Sequence, residues 1–582
     1  MERMRGGGLR PADVDRILNR GSIDPTLPLY NEWSREADVA RHQQGESRPV
    51  KYLIAISGPV ASGKSALAEE FVKRLTTHRI STRRILMDFG AKDDRTDLIE
   101  TGKRLDRETG GAWIRDGIAP YVKEHGPSCE VILVDAVRTA EQVALLRGAY
   151  GEKFLHIHVS VPFEVAKERY AARGIASDRE TTYEAVRADP TESQVWSLDQ
   201  VADRVVENVN CEPKSLLARV VAGLRLFPNA ATPLVDVIVS GQYGSEGKGH
   251  ICAHLAAGYG VLVRVGGPNA GHQVADPRYN YRQLPSGTQS NPDAKILIAA
   301  GSTISPTRIL REIAECGVAH RIVIDEQALV IEDSDSAFER RDGGLGTIGS
   351  TKQGAGSALA RKILNRGETP MLGEAVRLAK DHPDLRPFVG SVGRELETAY
   401  CAGTRVMLEG TQGTGLSIHH GNYPHVTARE TTASGCLADA GIGPLYVRKV
   451  VMVMRRYPIR VGGESGPMGI EIDFETVASR SGVPIKDITG TEVGSVSGNR
   501  RRIAEFDWEQ LRRSAVLNGA TDIALSFSDY ISIDNRKAQR FEQLTAETRA
   551  FVAVIEAVAN APVSLISTRF ARFGVIDRRN WR

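Results

Sequence analysis

The sequence has few cysteines and no long apolar run. Its six cysteines, at positions 129, 211, 252, 316, 401 and 436 of 582 residues, form no Cys-x-x-Cys pair, so we expect reduced thiols rather than a zinc site. No run reaches the roughly 18 apolar residues that a membrane-spanning helix needs. No apolar segment follows the polar start Met1–Gly8. We therefore expect a cytoplasmic protein without a membrane partner.

The chain also lacks an excess of charge of either sign. Lys and Arg number 75 against 72 Asp and Glu, which gives a net charge of +3. This balance predicts no specific nucleic-acid partner. The hydrophobic fraction of 41% and the charged fraction of 25% are ordinary for globular proteins. A chain of this length exceeds one hydrophobic core, so two or more domains are expected.

Strand-like and helix-like segments alternate from Lys51 onward. Residues 1–50 are polar and Arg-rich, with one helix candidate at Pro11–Asn19, and we expect a partly ordered extension. The apolar runs Lys51–Ser57, Thr82–Met87, Glu130–Asp135 and Phe154–Val159 predict strands, and Ala66–Leu75 and Ala140–Gly148 predict helices. The alternation indicates a parallel sheet with helices on both faces. A Pro- and Asn-bearing stretch near residues 227–233 separates two α/β domains, predicted at 51–227 and 234–582.

A phosphate-binding loop follows the first predicted strand. The segment Gly58–Ser65 has the Gly-x-x-x-x-Gly-Lys-Ser spacing, with Gly63 before Lys64. In this strand-loop-helix context the backbone amides would cradle phosphate, Lys64 would neutralise it, and the Ser65 hydroxyl would bind Mg²⁺. Asp135, which ends an apolar strand, would order the water of that metal. The alternative for Asp135 is a helix N-cap in the following turn.

Beyond this loop, residues 51–225 resemble small nucleotide kinases of the nucleoside-monophosphate and dephospho-CoA kinase type. The resemblance implies ATP as a substrate of this domain. It also implies that Arg169 and Arg173 clamp phosphates from a lid, and that Asp88 meets the acceptor nucleotide. The alternative for the two arginines is a solvated basic helix face. The acceptor stays open.

A second phosphate loop, Gly241–His250, follows the apolar run Val235–Ser240. Its four glycines would let backbone amides approach phosphate at the start of a helix, although the spacing is not that of a Walker loop. It resembles the opening motif of adenylosuccinate synthetase, which ends in Asp-Glu-Gly-Lys-Gly. Ser245 stands here at the Asp position. In the family that Asp removes the N1 proton of the purine and helps hold Mg²⁺.

Further segments match this family in order over nearly all of residues 234–582. Gly266–His272 resembles Gly-Gly-x-Asn-Ala-Gly-His, which implies that His272 is the general acid near the purine O6. Ile348–Thr351 resembles an element that binds the nucleotide 5′-phosphate. Glu409–Gly413 and Tyr423–Thr427 resemble purine-nucleotide contacts, and the segment 494–502 resembles the loop that grips aspartate carboxylates.

The resemblance implies four groups of site residues and a homodimer. The catalytic residues would be His272, Ser245, Lys248 and Gln412, and the metal ligands Ser245 and Gly271. The triphosphate would contact Gly244, Glu246, Gly247, Gly249, Asp529 and Ser567. The purine monophosphate and L-aspartate would contact Asn269, Ser350, Thr351, Arg366, Thr427, Ser497 and Arg501.

The chain departs from the family pattern at three places. Ser245 removes a carboxylate beside the base, which resembles the phage branch that joins aspartate to dGMP. Asn499 replaces a common arginine near the ribose and aspartate. Phe527 replaces the lysine that helps to read guanine, and Arg569-Phe570 replaces a Gly-Pro turn. We therefore expect ATP or dATP, rather than GTP alone, to serve as phosphoryl donor.

These observations predict a carbon–nitrogen ligase. It would join L-aspartate to C6 of a 6-oxopurine nucleoside monophosphate, with (d)GMP as the expected substrate. The first domain would phosphorylate the resulting or a related nucleotide. Two alternatives stay open for the second domain: an adenylosuccinate synthetase acting on IMP, and a nucleotide-binding regulator without turnover.

Overall fold

The computed structural model describes residues 50–172, 182–224, 226, 233–341, 345, 348–492 and 501–581. These residues form two compact α/β units, with those up to 226 in the first and those from 233 in the second. The helix candidate Pro11–Asn19 lies outside the described residues. Within the described ranges, no helix combines the length and apolar character needed to cross a membrane.

The first unit contains a five-stranded parallel sheet with strand order β2-β3-β1-β4-β5. The strands are β1 Tyr52–Ser57, β2 Thr77–Ser81, β3 Val131–Asp135, β4 Phe154–Ser160 and β5 Arg204–Glu207. The helices are α1 Lys64–Arg74, α2 Thr82–Asp88, α3 Arg95–Thr109, α4 Ala112–His125, α5 Ala140–Tyr150, α6 Phe163–Ala172, α7 Tyr183–Ala188, α8 Pro190–Trp196 and α9 Pro213–Val220.

Alternate residues of β1 enter different hydrophobic clusters, because successive side chains of a strand point to opposite faces. Ile54 and Ile56 pack with buried residues of α1 and α9. Leu53 and Ala55 pack with buried residues of α4 and α5. Helices therefore cover both faces of the sheet, which confirms the predicted fold class.

The predicted strand Thr82–Met87 is wrong. This segment lies in α2, and the strand is Thr77–Ser81, immediately before it. The apolar triplet that ends at Met87 is too short to distinguish the helical from the strand period. β2 lies at the edge of the sheet and is mostly half-buried, so it lacks the apolar run of a central strand.

The second unit contains a ten-stranded sheet with order β14-β12-β10-β7-β15-β6-β16-β20-β21-β22. Only its β21–β22 pair is antiparallel. These strands are β6 Val235–Ser240, β7 Val261–Arg264, β10 Lys295–Ile298, β12 Ile322–Asp325, β14 Val389–Gly390, β15 Val406–Glu409, β16 Val447–Arg455, β20 Asp522–Ser526, β21 Val563–Ser567 and β22 Val575–Asp577.

The second unit also contains smaller sheets and several helices. The small sheets comprise β8 His272–Ala275 with β9 Arg278–Tyr281, β11 Thr303–Ile304 with β13 Leu329–Val330, and β17 Ile459–Val461, β18 Glu471–Ile472 and β19 Arg501–Ala504. The helices are α10 Lys248–Leu255, α11 Pro306–Cys316, α12 Asp333–Arg340, α13 Ala355–Leu364, α14 Val392–Cys401, α15 Ala433–Ala440, α16 Phe474–Ser481, α17 Ile485–Thr491, α18 Trp508–Asn518 and α19 Ala546–Ala559.

The central strands β7, β15, β6, β16, β20 and β21 run parallel as neighbours. Their carboxyl ends therefore meet at one edge of the sheet, where ligands bind in open α/β folds. The loops that leave this edge carry the segments Gly241–Gly247, Gly266–Gly271, Gly410–Gly413 and Phe527–Tyr530. The topology thus gathers segments that are far apart in sequence.

Candidate active site

The second phosphate loop connects β6 to α10. Gly247 adopts a left-handed conformation (φ 80°) as the N-cap of α10. Gly244 has φ 90° and packs directly on Gln412, because a Cβ there would lie 2.8 Å from the Gln412 Cα. Both positions require glycine. The amides of Lys248 and Gly249 follow this loop at the start of α10, while the His250 amide donates to the Gly247 carbonyl at 3.1 Å. A helix start that follows a glycine-rich loop is the geometry of an anion-binding site.

Lys248 is fully buried at the base of this loop. Its Nζ donates to the Ser240 Oγ at 2.7 Å and to the Gln412 carbonyl at 2.6 Å, and it lies 4.0 Å from Glu246 Oε2. Burial lowers the pKa of the Lys248 ammonium, and the Glu246 carboxylate acts in the opposite direction. A phosphate on the loop would supply this buried ammonium with an anionic partner in addition to Glu246.

His272 belongs to a buried charged network. Its Nδ1 contacts Glu409, whose Oε1 also accepts from Arg264 Nη1 at 2.5 Å and from the Ser286 hydroxyl at 2.5 Å. Although burial alone would raise it, Arg264 and His272 hold the pKa of Glu409 well below its usual range. Glu409 is therefore ionised and accepts the Nδ1 proton. The contact of 2.7 Å between Arg264 Nη1 and His272 Nδ1 then joins two N–H donors and is not a hydrogen bond.

This network orients the other ring nitrogen of His272. The Nε2 atom is buried and has no hydrogen-bond partner among the described residues, and the side chain lines the main cavity. Burial, followed by the charge of Arg264, lowers the pKa of His272 to about 3 against the effect of Glu409. The imidazole is thus neutral near pH 7, and an anionic ligand would raise its pKa by adding negative charge.

One cavity of about 1140 Å³ brings most of the predicted ligase residues together. Catalytic candidates and phosphate-loop residues line it: Ser245, Lys248, His272, Gln412, Gly244, Gly247, Gly249 and Gly271. The other predicted residues that line it are Asn269, Ser350, Thr351, Thr427, Arg501, Asp529 and Ser567. Gln412 has a left-handed backbone (φ 58°), and its buried Nε2 has no partner among the described residues.

Three predicted site residues are not among those that line this cavity. Glu246 is buried, and its Oε1 accepts from the Gly244 amide at 2.9 Å, so it shapes the loop without lining the cavity. Arg366 lines a separate cavity of about 510 Å³, and its Nε donates to the Ile363 carbonyl. Ser497 lies outside the described residues, as does Asn499.

The backbone of Ser245 is fixed by a second buried charge cluster. Arg455 Nη1 donates to the Ser245 carbonyl at 3.0 Å. Arg455 Nη2 and Arg501 Nη1 both donate to Glu492, at 2.6 and 3.0 Å. Ser245 lines the cavity, and its side chain is a neutral hydroxyl. The cluster therefore fixes the backbone position from which the Ser245 side chain meets the cavity.

The protein oxygens here fit a Mg²⁺ ion that is shared with substrate. No group of three or more His, Cys, Asp or Glu side chains that could hold a metal occurs among the described residues. Glu246 Oε2, however, is buried without a hydrogen-bond donor from the described chain. The Ser245 hydroxyl on the phosphate loop and the Gly271 carbonyl on the loop after β7 are further hard oxygens, and both residues line the cavity. Mg²⁺ suits such a site because it is commonly bound by few protein oxygens plus phosphates.

The first unit presents its own phosphate loop at the end of β1. Gly63 adopts φ 96° before α1, and a Cβ at Gly58 would lie 2.3 Å from the Val159 carbonyl. Lys64 Nζ donates to the carbonyls of Gly58 and Pro59 at 2.5 and 2.8 Å. Ser65 is exposed in the first turn of α1. This loop therefore has the shape that its spacing predicts.

Asp135 ends β3 opposite Ile56 of β1, beside the first phosphate loop. Its Oδ2 accepts from Arg79 Nε at 3.1 Å. The N-cap alternative for Asp135 is wrong, because Thr139 caps α5 by accepting from the Gln142 amide. Arg169 is half-buried on α6, and Arg173 lies outside the described residues. Asp88 accepts from the Tyr121 hydroxyl at 2.6 Å.

The sequence alone predicts no individual role for Arg264, Ser286 or Glu409. Each is buried and contacts the network around His272. The sequence signal that could identify two of them is a charged residue at the end of an apolar strand, since Arg264 ends β7 and Glu409 ends β15. Ionised side chains are rarely buried unless they are paired, so such positions indicate a built site.

Comparison with known proteins gives one consistent result for the second unit. A model of the adenylosuccinate synthetase family matches residues 237–371 and 370–536. The adenylosuccinate synthetase of Methanocaldococcus jannaschii is 36% identical over 353 residues, which cover 59% of this chain and 96% of that protein.

Two solved structures are similar to the same share of the chain. The fully ligated adenylosuccinate synthetase from Plasmodium falciparum covers 60% of this chain and 100% of its own, with a TM-score of 0.53 and 20% identity. The cyanophage S-2L succinoaminodeoxyadenylate synthetase, bound to dGMP and dATP, covers 60% of this chain and 95% of its own, with a TM-score of 0.49 and 29% identity. With the family model covering residues 237–536, the chain belongs to the adenylosuccinate synthetase family, and its second unit is an aspartate–purine nucleotide ligase of that type.

Proposed function

We propose that the second unit joins L-aspartate to C6 of (d)GMP. A nucleoside triphosphate would transfer its γ-phosphoryl group to the purine O6 and leave as the diphosphate, while N1 loses its proton to a water molecule. The aspartate amine would then attack C6, the C6–O6 bond would break, and inorganic phosphate would leave. The observation that carries the proposal is that the phosphate loop, Lys248, the unpartnered His272 Nε2 and the carboxylate-free Ser245 face one cavity.

Each residue has a task that follows from its surroundings. The loop amides and Lys248 would stabilise charge on the transferring phosphoryl group. His272, held by Glu409 through Nδ1, would present Nε2 to O6 and exchange a proton there. Arg501, held by Glu492, would bind a carboxylate of aspartate. Mg²⁺ held by Ser245 and Gly271 would neutralise phosphate charge.

Ser245 would select the base. An aspartate here would lie beside N1 and C2 of the purine, where the 2-amino group of guanine competes for the same space. The small hydroxyl leaves room for that group and puts no second negative charge near the buried Glu246. A site built around substrate N–H groups discriminates strongly, because an unsuited analogue leaves buried polar groups unpaired.

The proposal predicts the effect of Ser245→Asp. With the carboxylate restored, the ratio of kcat/KM for dGMP to that for IMP should fall by at least roughly tenfold, about 1.4 kcal/mol. The assay supplies the monophosphate, L-aspartate, Mg²⁺ and a triphosphate, follows phosphate release, and identifies the product by mass. Ser245→Ala is the matched control, because it keeps the small volume without charge and should retain the wild-type ratio.

Three outcomes count against the proposal. An unchanged ratio in Ser245→Asp would show that this residue does not choose the base. Phosphate release without a monophosphate or without aspartate would show that the second unit performs another reaction. Absence of any turnover with all four components would favour a nucleotide-binding regulator.

We also propose that the first unit is an ATP-dependent nucleotide kinase. Its strand–loop–helix geometry, Lys64, the exposed Ser65 and Asp135 at the adjacent strand end support this assignment. A homodimer of the chain is a further proposal. Three exposed apolar side chains on and near α13, Ile363, Leu364 and Met371, flank Arg366 in the sequence and support it, since exposed apolar patches mark protein interfaces.

A further inference from the structure

One part of the large cavity borders the phosphate loop of the second unit. Ser526 Oγ donates to the Glu246 carbonyl at 2.5 Å. A Cβ at Gly247 would lie 3.4 Å from Cε2 of Phe527. The segment that follows β20 is therefore packed against the loop. A nucleotide whose phosphates lie on the loop can place its base against this segment.

The carboxylate in this segment is already engaged. Asp529 is 6% exposed, and its Oδ2 accepts from Arg536 Nε at 3.0 Å. Arg536 Nη1 in turn donates to Asp487 at 3.3 Å. All three side chains line the cavity. The guanidinium thus lies between two carboxylates, with both of these nitrogens occupied.

Neighbouring residues hold this arrangement in place. Arg569 Nη1 donates to the backbone carbonyl of Arg536 at 2.7 Å. Phe570 stacks at a tilt against His250, with ring centroids 5.4 Å apart. Arg569, Phe570 and His250 line the same cavity. The surface offered to a base is therefore aromatic, and the Asp529 carboxylate on it has its Oδ2 engaged by Arg536.

Guanine and adenine make different demands on such a surface. Guanine presents two adjacent donors, N1–H and the 2-amino group, which a free carboxylate satisfies because it only accepts hydrogen bonds. Adenine presents an acceptor at N1 and a donor at its 6-amino group, and stacks equally well on aromatic rings. Buried donors without partners are costly. A carboxylate whose Oδ2 is already paired with a guanidinium satisfies two adjacent donors less well than a free one, and therefore disfavours guanine more than adenine.

We propose that Arg536 is a specificity-determining residue for the donor nucleotide: by engaging Asp529 it withholds the acceptor that guanine requires, so the site takes an adenine nucleotide. The proposal rests on the proposed function, because it assumes that this cavity binds the phosphoryl donor. Arg536 is a positioning residue: it affects recognition of the base through Asp529 and does not contact the reacting atoms.

The test measures donor binding and needs no turnover. The full-length chain carries Lys64→Ala, so that the first unit does not contribute, and is titrated calorimetrically with the β,γ-imido analogues of ATP and GTP in the presence of Mg²⁺. The ATP analogue should bind at least about tenfold more tightly than the GTP analogue. Arg536→Met should shift this ratio toward the GTP analogue by at least about tenfold, because it frees Asp529.

Three variants separate this effect from misfolding. Arg536→Lys keeps a cation beside Asp529 and should keep most of the preference for the ATP analogue. Asp529→Asn added to Arg536→Met should remove the gain in GTP affinity, because an amide no longer offers two acceptor oxygens. Arg512→Met is the matched control, since Arg512 is exposed and pairs with Glu509 on α18.

The result that overturns the proposal is a GTP analogue bound as tightly as the ATP analogue while Arg536 is intact, or a ratio that Arg536→Met leaves unchanged. Binding of neither analogue would remove the donor site itself and would overturn the proposed function as well. The two failures are thus distinguished within one titration series.

Discussion

Replacing His272 by Asn should slow the ligase reaction by roughly two to four orders of magnitude, the range that a positioned general acid or base contributes. The amide nitrogen of Asn can reach the position of Nδ1 and keep the contact with Glu409, but the variant has no atom at the position of Nε2. The loss should therefore appear in kcat, because the protein fold and the phosphate loop are retained. The measurement is steady-state phosphate release with all four components present.

A matched control for this variant is His320→Asn. His320 is exposed and lies outside the cavity, so its replacement should leave the rate unchanged. A His272→Asn protein that turns over at the wild-type rate would remove His272 from the mechanism. In that case the buried Glu409–Arg264–Ser286 network would have only a structural role.

Replacing Lys64 by Ala should reduce the kinase activity of the first unit by at least about two to three orders of magnitude, because it removes a preorganised positive charge from the phosphate site. The ligase rate should change by less than about twofold, since effects at separate sites are independent. Lys64 and Lys248 lie in different phosphate loops of different units. Kinase turnover is followed as diphosphate formation from ATP with nucleoside monophosphates as acceptors.

Lys73→Ala on the same helix is the control for this experiment. Lys73 is 63% exposed, and its Nζ lies 3.8 Å from Glu70, so its loss should affect neither activity. If Lys64→Ala stops the ligase as well, the proposal of two separate triphosphate sites is wrong. If it leaves the kinase activity unchanged, the first loop is not the phosphoryl-transfer site.

The two phosphate loops were predictable because their determinants are local. Glycines at fixed spacings after an apolar strand dictate the loop, and the structure shows left-handed conformations at Gly63 and Gly247. The same holds for the fold class, which follows from the alternation of strands and helices. The exception was β2, an edge strand whose half-buried residues carry no apolar run.

The partners of the site residues were not predictable, because they are distant in sequence. Glu409 and His272 are 137 positions apart, and Asp135 and Arg79 are 56 apart. Only the sheet order brings such strand ends together. Arg536 is the clearest case: Asp529 alone suggests a free acceptor for a base, and the structure shows that its Oδ2 already accepts from Arg536 Nε.

We propose that the second unit acts on a guanine nucleotide because Ser245 stands where the family pattern has an aspartate beside the base. The most direct measurement is a competition in one reaction between dGMP and IMP, at equal concentrations, with wild-type protein, L-aspartate, Mg²⁺ and ATP. We expect the 2-amino product to dominate in the mass spectrum at early times. A dominant product from IMP would contradict it.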